Sequence, residues 1–472
     1  MAEKYLTLGQ AARELGVTKA RVSQLGSAGT LKTAMVEGRK RILADSVRAY
    51  AQQRPSCGRV AYARSGKALT LMSADHEVAR LTYDFSRERP FSVVEVLDPA
   101  RMPLGTVTSG GNVKAREFND WWLHRSIPDA RPLYLAKRRE LGLGEGEQVS
   151  MRGHGLSLSD CYWLLPDGAD LEWSDINYFV NPFTGCDEVD GSWLASVGLD
   201  SPDNTSEGEL PKRWAIEGGA RVLYKGSGSD DQRLCNEVVA TRLFGRVLMP
   251  GSYVPYELVR LGDGLACRCP DFLNGREEYI PAVYLRDSMG ATRGSSTYDR
   301  LCRHAARLGA NEGEVRLRLC EMMVCDSILA NADRHWRNFG FIRNVDTLEL
   351  RPAPIFDTGN CLWYAKTDGE VATCDWTFSA RPFGPEPQRQ LALVDRAEWF
   401  EPAFLDGFVE EAMAVLARSA FASTPERGPF IEEGLSRRVA AVSSVMEVLA
   451  FRQAWGVGPG AGLARKKAAT RR

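Results

Sequence analysis

The chain has 472 residues, with 60 Lys or Arg against 61 Asp or Glu and a net charge of −1. Hydrophobic residues at 44% and charged ones at 26% are ordinary for a soluble globular protein, and no apolar run approaches the roughly 20 residues that span a bilayer, which argues against a helical membrane protein. A chain of this length exceeds what one hydrophobic core organises, so two or three domains are expected.

The near-zero balance hides an asymmetry. Residues 1–60 hold eleven Lys or Arg against four acids, a local +7 that suits a polyanion. Within them Leu8, Ala11, Ala12 and Leu15 repeat with helical spacing, Gly16 stops that helix, and Thr18 can cap a second helix that turns Val22 and Leu25 inward. Gly38 to Leu43 reads as a strand, and Asp45 starts a third helix through Tyr50. This stretch, residues 1–55, resembles the winged helix-turn-helix of excisionase and MerR-type regulators. The resemblance implies that Lys19, Arg21, Ser23 and Gln24 on the second helix face DNA bases, with Arg39 and Arg41 of the wing on phosphate. A small docking module with a solvated basic face is the alternative.

Pro55-Ser56-Cys57-Gly58 reads as a linker. Residues 60–200 then mix strands, such as Phe91 to Leu97, with Trp-rich segments at Trp121-Trp122, Tyr162-Trp163 and Trp173, and form an expected α+β subdomain. Aromatic residues at this density are more often core than ligand platform. Eleven scattered cysteines, odd in number, and an N-terminus without a secretory apolar core predict reduced structural thiols and a cytoplasmic location. Residues 457–472, glycine-rich and then basic, read as a disordered tail.

Four pieces follow in the order that phosphoryl transfer from ATP requires. Residues 201–285 alternate short β runs with turns. They begin with the polar loop Thr205 to Trp214, whose Ser206 and Gly208 let backbone N–H groups approach phosphate, although the loop has neither a G-x-G-x-x-G nor a Walker pattern. Second, the strand Arg221 to Lys225 ends in a lysine, and Asn236-Glu237 opens a helix. A kinase holds its phosphate-binding strand lysine with a helix carboxylate, and Lys225 and Glu237 fit those roles. Third, strands from Tyr253 to Val259 and from Leu265 to Cys269 lead to Asp271 and Phe272, at the β-to-α switch where a kinase hinge offers backbone groups to adenine.

The fourth piece lies in residues 286–456, expected to be helical. After an apolar helix through Leu329 comes Asn331-Ala-Asp333-Arg-His335-Trp-Arg-Asn338. A kinase catalytic loop needs an Asp to accept the hydroxyl proton and an Asn five positions on to ligate Mg²⁺, the spacing of Asp333 and Asn338. Asp357-Thr358-Gly359 supplies the second metal ligand, Asp357, at a turn after the next strand.

Asn-x-Asp-x-His-x-x-Asn followed by Pro-x-x-Asp resembles the signature of HipA-like serine/threonine kinases, over about residues 90 to 440 and including Ala380-Arg-Pro-Phe383. The resemblance implies an α+β, two-lobed fold, with a β-rich lobe and a helical lobe behind the DNA-binding module. It also implies ATP and Mg²⁺ as cofactors, a protein acceptor bearing Ser or Thr, autophosphorylation at Ser206, and a toxin or growth regulator with an antitoxin or regulator partner. The competing expectation is a transcriptional regulator whose kinase-like part only senses nucleotide, and a lipid or small-molecule kinase is a third.

Overall fold

The computed structural model describes residues 5–15, 19–27, 29–36, 39–53, 65–84, 87, 89–108, 110–125, 151, 153–187, 201–205, 210–226, 231–290, 294–373 and 375–454. The chain gathers into two compact units, residues 1–222 with 273–277, and residues 223–272 with 278–472. The linker at 55–58, the Thr18 cap, the loop residues Ser206 and Gly208, and the tail at 457–472 lie outside the described residues.

In the first unit, β1 (Tyr5–Leu6), β2 (Thr33–Val36) and β3 (Arg39–Leu43) form a sheet in the order β1-β3-β2 beside α1 (Leu8–Leu15), α2 (Lys19–Ser27) and α3 (Ala44–Gln53). Helix α1 begins where it does because Thr7 and Gln10 exchange bonds: the Gln10 amide donates to Thr7 Oγ1 at 3.1 Å and the Thr7 amide to Gln10 Oε1 at 2.9 Å. Leu6, Ala11, Val22, Leu25, Leu31, Ile42 and Val47 close one small core with Leu8 packed against it, and Leu8, Ala11, Val22 and Leu25 are among the apolar positions that the helical spacing singles out.

Farther along, β4 (Ser65–Ser73), β5 (His76–Asp84), β6 (Phe91–Val96) and β7 (Tyr162–Pro166) make an antiparallel sheet in the order β6-β5-β4-β7, with α4 (Ala115–Leu123) against β6. Trp121, Trp122, Tyr162 and Trp163 are all buried here. Arg125 lies over both rings of the tryptophan pair and pairs with Asp160 through its Nε at 2.8 Å. These aromatics are core, as their density predicted. The short α5 (Trp173–Ile176) and the strand β8 (Lys212–Glu217) complete the unit.

The second unit carries every residue of the expected reaction centre that is described. Strand β9 (Ala220–Gly226) enters it at Leu223 and lies beside β11 (Gly264–Pro270), which pairs with β10 (Glu257–Leu261). Leu261 stands opposite Gly264, so the hairpin loop has two residues, and Gly262 at φ 57° takes the left-handed position that such a loop demands. The strand expected from Tyr253 starts only at Glu257. Pro255 has no N–H to give to a ladder, and Tyr253 makes a single isolated bridge with Ile355.

Between β9 and β10 runs α6 (Gln232–Val247). It starts a turn before the expected Asn236-Glu237, because Leu234 and Cys235 are buried and extend its apolar face. The helical part follows as α7 (Ala282–Ser288), α8 (Thr297–Arg307), α9 (Glu312–Ile328), α10 (Asp368–Val371), α11 (Pro387–Leu391), α12 (Phe408–Leu416) and α13 (Arg427–Ala454). A sheet of β12 (Glu277–Pro281), β13 (Gly340–Asn344) and β14 (Leu350–Pro352), in that order, is set among them. Helix α9 is capped by Asn311, whose Oδ1 accepts from the amides of Gly313 and Glu314. Glu312 and Glu314 in its first turn complement the dipole. Burial without a break from Leu319 to Ile328 marks a helix enclosed on all sides over its second half, and its C-terminus delivers the loop of Asp333.

Helix α6 is fastened at both ends. At its start the Asp231 carboxylate accepts from Ser419 Oγ at 2.6 Å and from the amides of Ala420 and Phe421 at 3.0 and 3.3 Å. Near its end Arg246 donates to Glu411 at 2.9 Å and to the carbonyls of Asp406 and Phe404 at 2.8 and 3.1 Å.

Candidate active site

The loop after α9 is shaped by one buried guanidinium. Arg334 is fully buried and meets Asp326, on the last turn of α9, with two bonds, Nε at 2.9 Å and Nη2 at 3.0 Å. Its Nη1 donates to the carbonyls of Asn338 at 2.7 Å and Phe356 at 2.6 Å, and its Nη2 to Thr358 Oγ1 at 2.9 Å. A planar fork of donors suits this task, since it holds two loops in fixed register. Asn331 ties the same turn, donating to Asp326 Oδ1 at 2.8 Å and accepting the Asp333 amide at 3.0 Å. Asn338 then reaches back, its Nδ2 donating to the Asp333 carbonyl at 3.1 Å. His335 accepts the Arg337 amide on its Nδ1 at 3.2 Å, and Trp336 packs edge-on to Phe383, so both residues shape the loop.

The second part is a triad of charges in which Lys225 and Glu237 are buried and Asp357 is partly exposed. Lys225, 2% exposed at the end of β9, donates to Glu237 Oε1 at 2.5 Å and to Asp357 Oδ1 at 2.7 Å. Burial works to strip the proton from this ammonium, but Asp357 and Glu237 outweigh it and hold the Lys225 pKa well above its ordinary value. The ring of Tyr256 lies 4.7 Å from its nitrogen. Glu237 also accepts the Thr358 amide at 2.9 Å, so a single carboxylate ties the lysine to the Asp357 turn.

That turn is held close to α6. Asn236 Nδ2 donates to the carbonyls of Gly359 and Cys361, both at 2.8 Å. A Cβ on Gly359 would stand 2.8 Å from the Arg233 carbonyl oxygen and 3.2 Å from Glu237 Cγ, so glycine is required for this approach. Asp357 itself sits at φ 54°, a left-handed conformation that Asp tolerates better than most side chains. Asn360, next along, donates to Asp333 Oδ2 at 2.7 Å and so joins the turn to the loop after α9. The other oxygen, Oδ1, faces Arg381 Nη1 at 3.7 Å.

The structure therefore gathers Lys225, Glu237, Asp333, Asn338 and Asp357 into one connected network. Phe272 packs 5.5 Å from Phe356, the neighbour of Asp357, and Asp271 precedes it at the end of β11. Ser23 on α2 and Arg41 on β3 are half-buried; Lys19, Arg21 and Gln24 lie on the same helix as Ser23, and Arg39 on the same strand as Arg41. Burial pushes the thiols of Cys267 and Cys269 up, the latter to about 12, so both stay protonated beside the lysine.

Among the described residues no group of three or more His, Cys, Asp or Glu is arranged as a metal cage. The donors of Asn338 and Asp357 are hard oxygens, few in number. That suits Mg²⁺, which is held by one or two carboxylates together with substrate phosphates. Arg334 brings the pair together, since the carbonyls of Asn338 and of Phe356 share its Nη1.

Sequence reasoning gave no role to Arg334, Asp326, Asn236, Asn360 or Arg381. Arg334 carries a local signal, lying within the loop motif and eight residues after Asp326. Asn360 carries none, because its partner Asp333 is distant in sequence, and Arg381 is marked only as a member of the Ala380-Arg-Pro-Phe383 segment.

No family model matches the chain. Over 51 residues it is 49% identical to the serine/threonine-protein kinase CtkA of Helicobacter pylori, and that stretch is 11% of this chain and only 15% of the relative's length. Among solved structures, the proinflammatory kinase CtkA of Helicobacter pylori aligns with a TM-score of 0.42 at 15% identity, over 52% of this chain and 93% of the other. A chain of the Shewanella oneidensis toxin–antitoxin complex of HipA, HipB and operator DNA aligns with a TM-score of 0.48 at 14% identity, over 82% of this chain and 99% of the other.

Proposed function

We propose that this chain is a HipA-like protein kinase that transfers the γ-phosphoryl group of ATP to a serine or threonine, with Mg²⁺ as cofactor. The observation that carries the reading is the single ammonium of Lys225 bonded to both Glu237 and Asp357, with Asp357 joined through Asn360 to Asp333. Phosphoryl transfer is positioning and electrostatics more than covalent chemistry, and such a rigid array of charges supplies both. The short stretch of high identity to a serine/threonine kinase points the same way.

In this reading Asp333 orients the acceptor hydroxyl and takes its proton. Lys225, held by Glu237, steadies the ATP phosphates. Asn338 and Asp357 hold Mg²⁺, which when bound neutralises phosphate charge. The backbone at Asp271 and Phe272 meets adenine, and the loop with Ser206 and Gly208 covers the phosphates, Ser206 being a site of autophosphorylation. The N-terminal module binds DNA through Lys19, Arg21, Ser23, Gln24, Arg39 and Arg41, supported by the local charge of +7 and the basic strand β3.

Incubation of the purified chain with γ-labelled ATP and Mg²⁺ tests the kinase reading. Label should enter protein with wild type and not with Asp333→Ala. Equal labelling of the two would refute it. Mapping of phosphosites by mass spectrometry on the same samples reads Ser206 directly.

A further inference from the structure

Arg381 is an exposed residue beside Asp333, and the backbone that carries it is held by several bonds. Its guanidinium is the cation facing Asp333 Oδ1, at 3.7 Å, with the arginine side chain 55% exposed and the aspartate 33%. As a contribution to stability such an exposed pair is worth little. Yet the backbone that carries it is clamped from within. Gln390, 2% exposed on α11, donates to the Arg381 carbonyl at 2.7 Å and accepts the Phe383 amide at 3.1 Å. The turn is closed by the Ala380 amide on the Pro385 carbonyl at 2.9 Å. Phe383 is wedged edge-on between Tyr298 and Trp336, with ring centroids 5.6 and 5.5 Å away, and Trp336 belongs to the loop of Asp333 itself.

A fixed backbone and an exposed, flexible guanidinium place one positive charge beside the residue that receives the acceptor hydroxyl. In an in-line transfer the γ-phosphorus lies next to that hydroxyl, and negative charge spreads over its three equatorial oxygens. Lys225 is already committed to Glu237 and Asp357. Asp333 itself meets Asn360, which is neutral, and Arg381.

We propose that Arg381 is a further catalytic residue, which leaves Asp333 Oδ1 when substrates are bound and donates to the equatorial oxygens of the transferring phosphoryl group. The inference rests on the kinase reading above. In the step, the acceptor oxygen forms its bond to γ-phosphorus as the bond from phosphorus to the β,γ-bridging oxygen breaks, releasing ADP. The hydroxyl proton passes to Asp333 Oδ1, the oxygen that Arg381 vacates. Arg381 thus guards the base before substrate arrives and stabilises the phosphoryl group afterwards.

The test uses the full chain with ADP, Mg²⁺ and aluminium fluoride, a mimic of the planar phosphoryl group, alongside phosphate transfer from ATP. Arg381→Ala should lower kcat by roughly 10²-fold or more, as loss of a transition-state donor does. It should weaken the aluminium fluoride complex by a similar factor and leave the affinity for ADP alone unchanged. Arg381→Lys, or guanidinium added to Arg381→Ala, should restore part of the rate, which a purely structural role does not allow. Unchanged kcat and trapping in Arg381→Ala, with wild type active, overturn the proposal. So does an equal loss of ADP affinity. Should Arg381→Ala fail to melt cooperatively, Arg381→Lys and Arg381→Gln carry the same comparison, with trapping weakened in Gln more than in Lys. A wild type that neither transfers phosphate nor forms the trap overturns the kinase reading itself, a result distinct from the others.

Discussion

Replacing Arg334 by methionine keeps most of the side-chain volume and removes the guanidinium. Asp326, 4% exposed, then loses both of its Arg334 bonds and retains the bond from the Asn331 side-chain amide. Removal of one partner from a buried ion pair costs about 3–5 kcal/mol. The carbonyls of Asn338 and Phe356 and the hydroxyl of Thr358 lose a donor as well, at about 1 kcal/mol each. These losses share one site and overlap, so about 4–6 kcal/mol in total is expected. That is a large fraction of the stability of a typical domain, about 5–15 kcal/mol. Urea melts of the full chain, followed by tryptophan fluorescence, measure it. Adding Asp326→Asn to Arg334→Met should recover about 1–2 kcal/mol, because it removes the stranded charge. A loss below about 1 kcal/mol in the single variant, or a double variant no more stable than the single, would show that the guanidinium does not organise the loop as described.

The Lys225 pKa is raised well above 10.5, so its share of stability is fully present below pH 10.5 and is lost only as pH rises through the higher, folded value. The stability difference between wild type and Lys225→Met should therefore be flat from neutral pH to about 10 and shrink above it, in melts recorded across alkaline buffers. Gly359→Ala forces a methyl group against the Arg233 carbonyl and Glu237, and should destabilise by about 1–3 kcal/mol while lowering phosphate transfer, read by melts and labelled ATP. Fluorescence anisotropy with duplex DNA should give an affinity that falls steeply with salt, and Arg39→Glu with Arg41→Glu should abolish it; binding insensitive to salt would exclude the phosphate contacts assigned to β3.

The parts legible in the sequence are those written in short-range spacing. Asp333 and Asn338 lie five positions apart within one loop, and Lys225 is next to last in its strand, so local pattern suffices for each. The apolar positions Leu8 and Ala11 of α1 are likewise local. What the sequence hid depends on distant pairing. Asn360 meets Asp333 across 27 positions, Asn236 meets Gly359 across 123, and Arg246 meets Glu411 across 165. The pair Asn236-Glu237 has the pattern of a helix start, yet α6 begins at Gln232. The turn before it, from Gln232 to Cys235, joins the helix because the fold buries it.

Helix α6 bears on how such a site can be turned off. Glu237 sits on a rod pinned by Asp231 at one end and Arg246 at the other. Swinging the helix, and Glu237 with it, away from Lys225 means breaking three bonds at the first pin and three at the second, as well as those of Asn236. The lysine–glutamate contact is thus a girder of the fold rather than a latch, and a control element acting on this protein has to work by closing access to the charges, because it cannot readily take them apart.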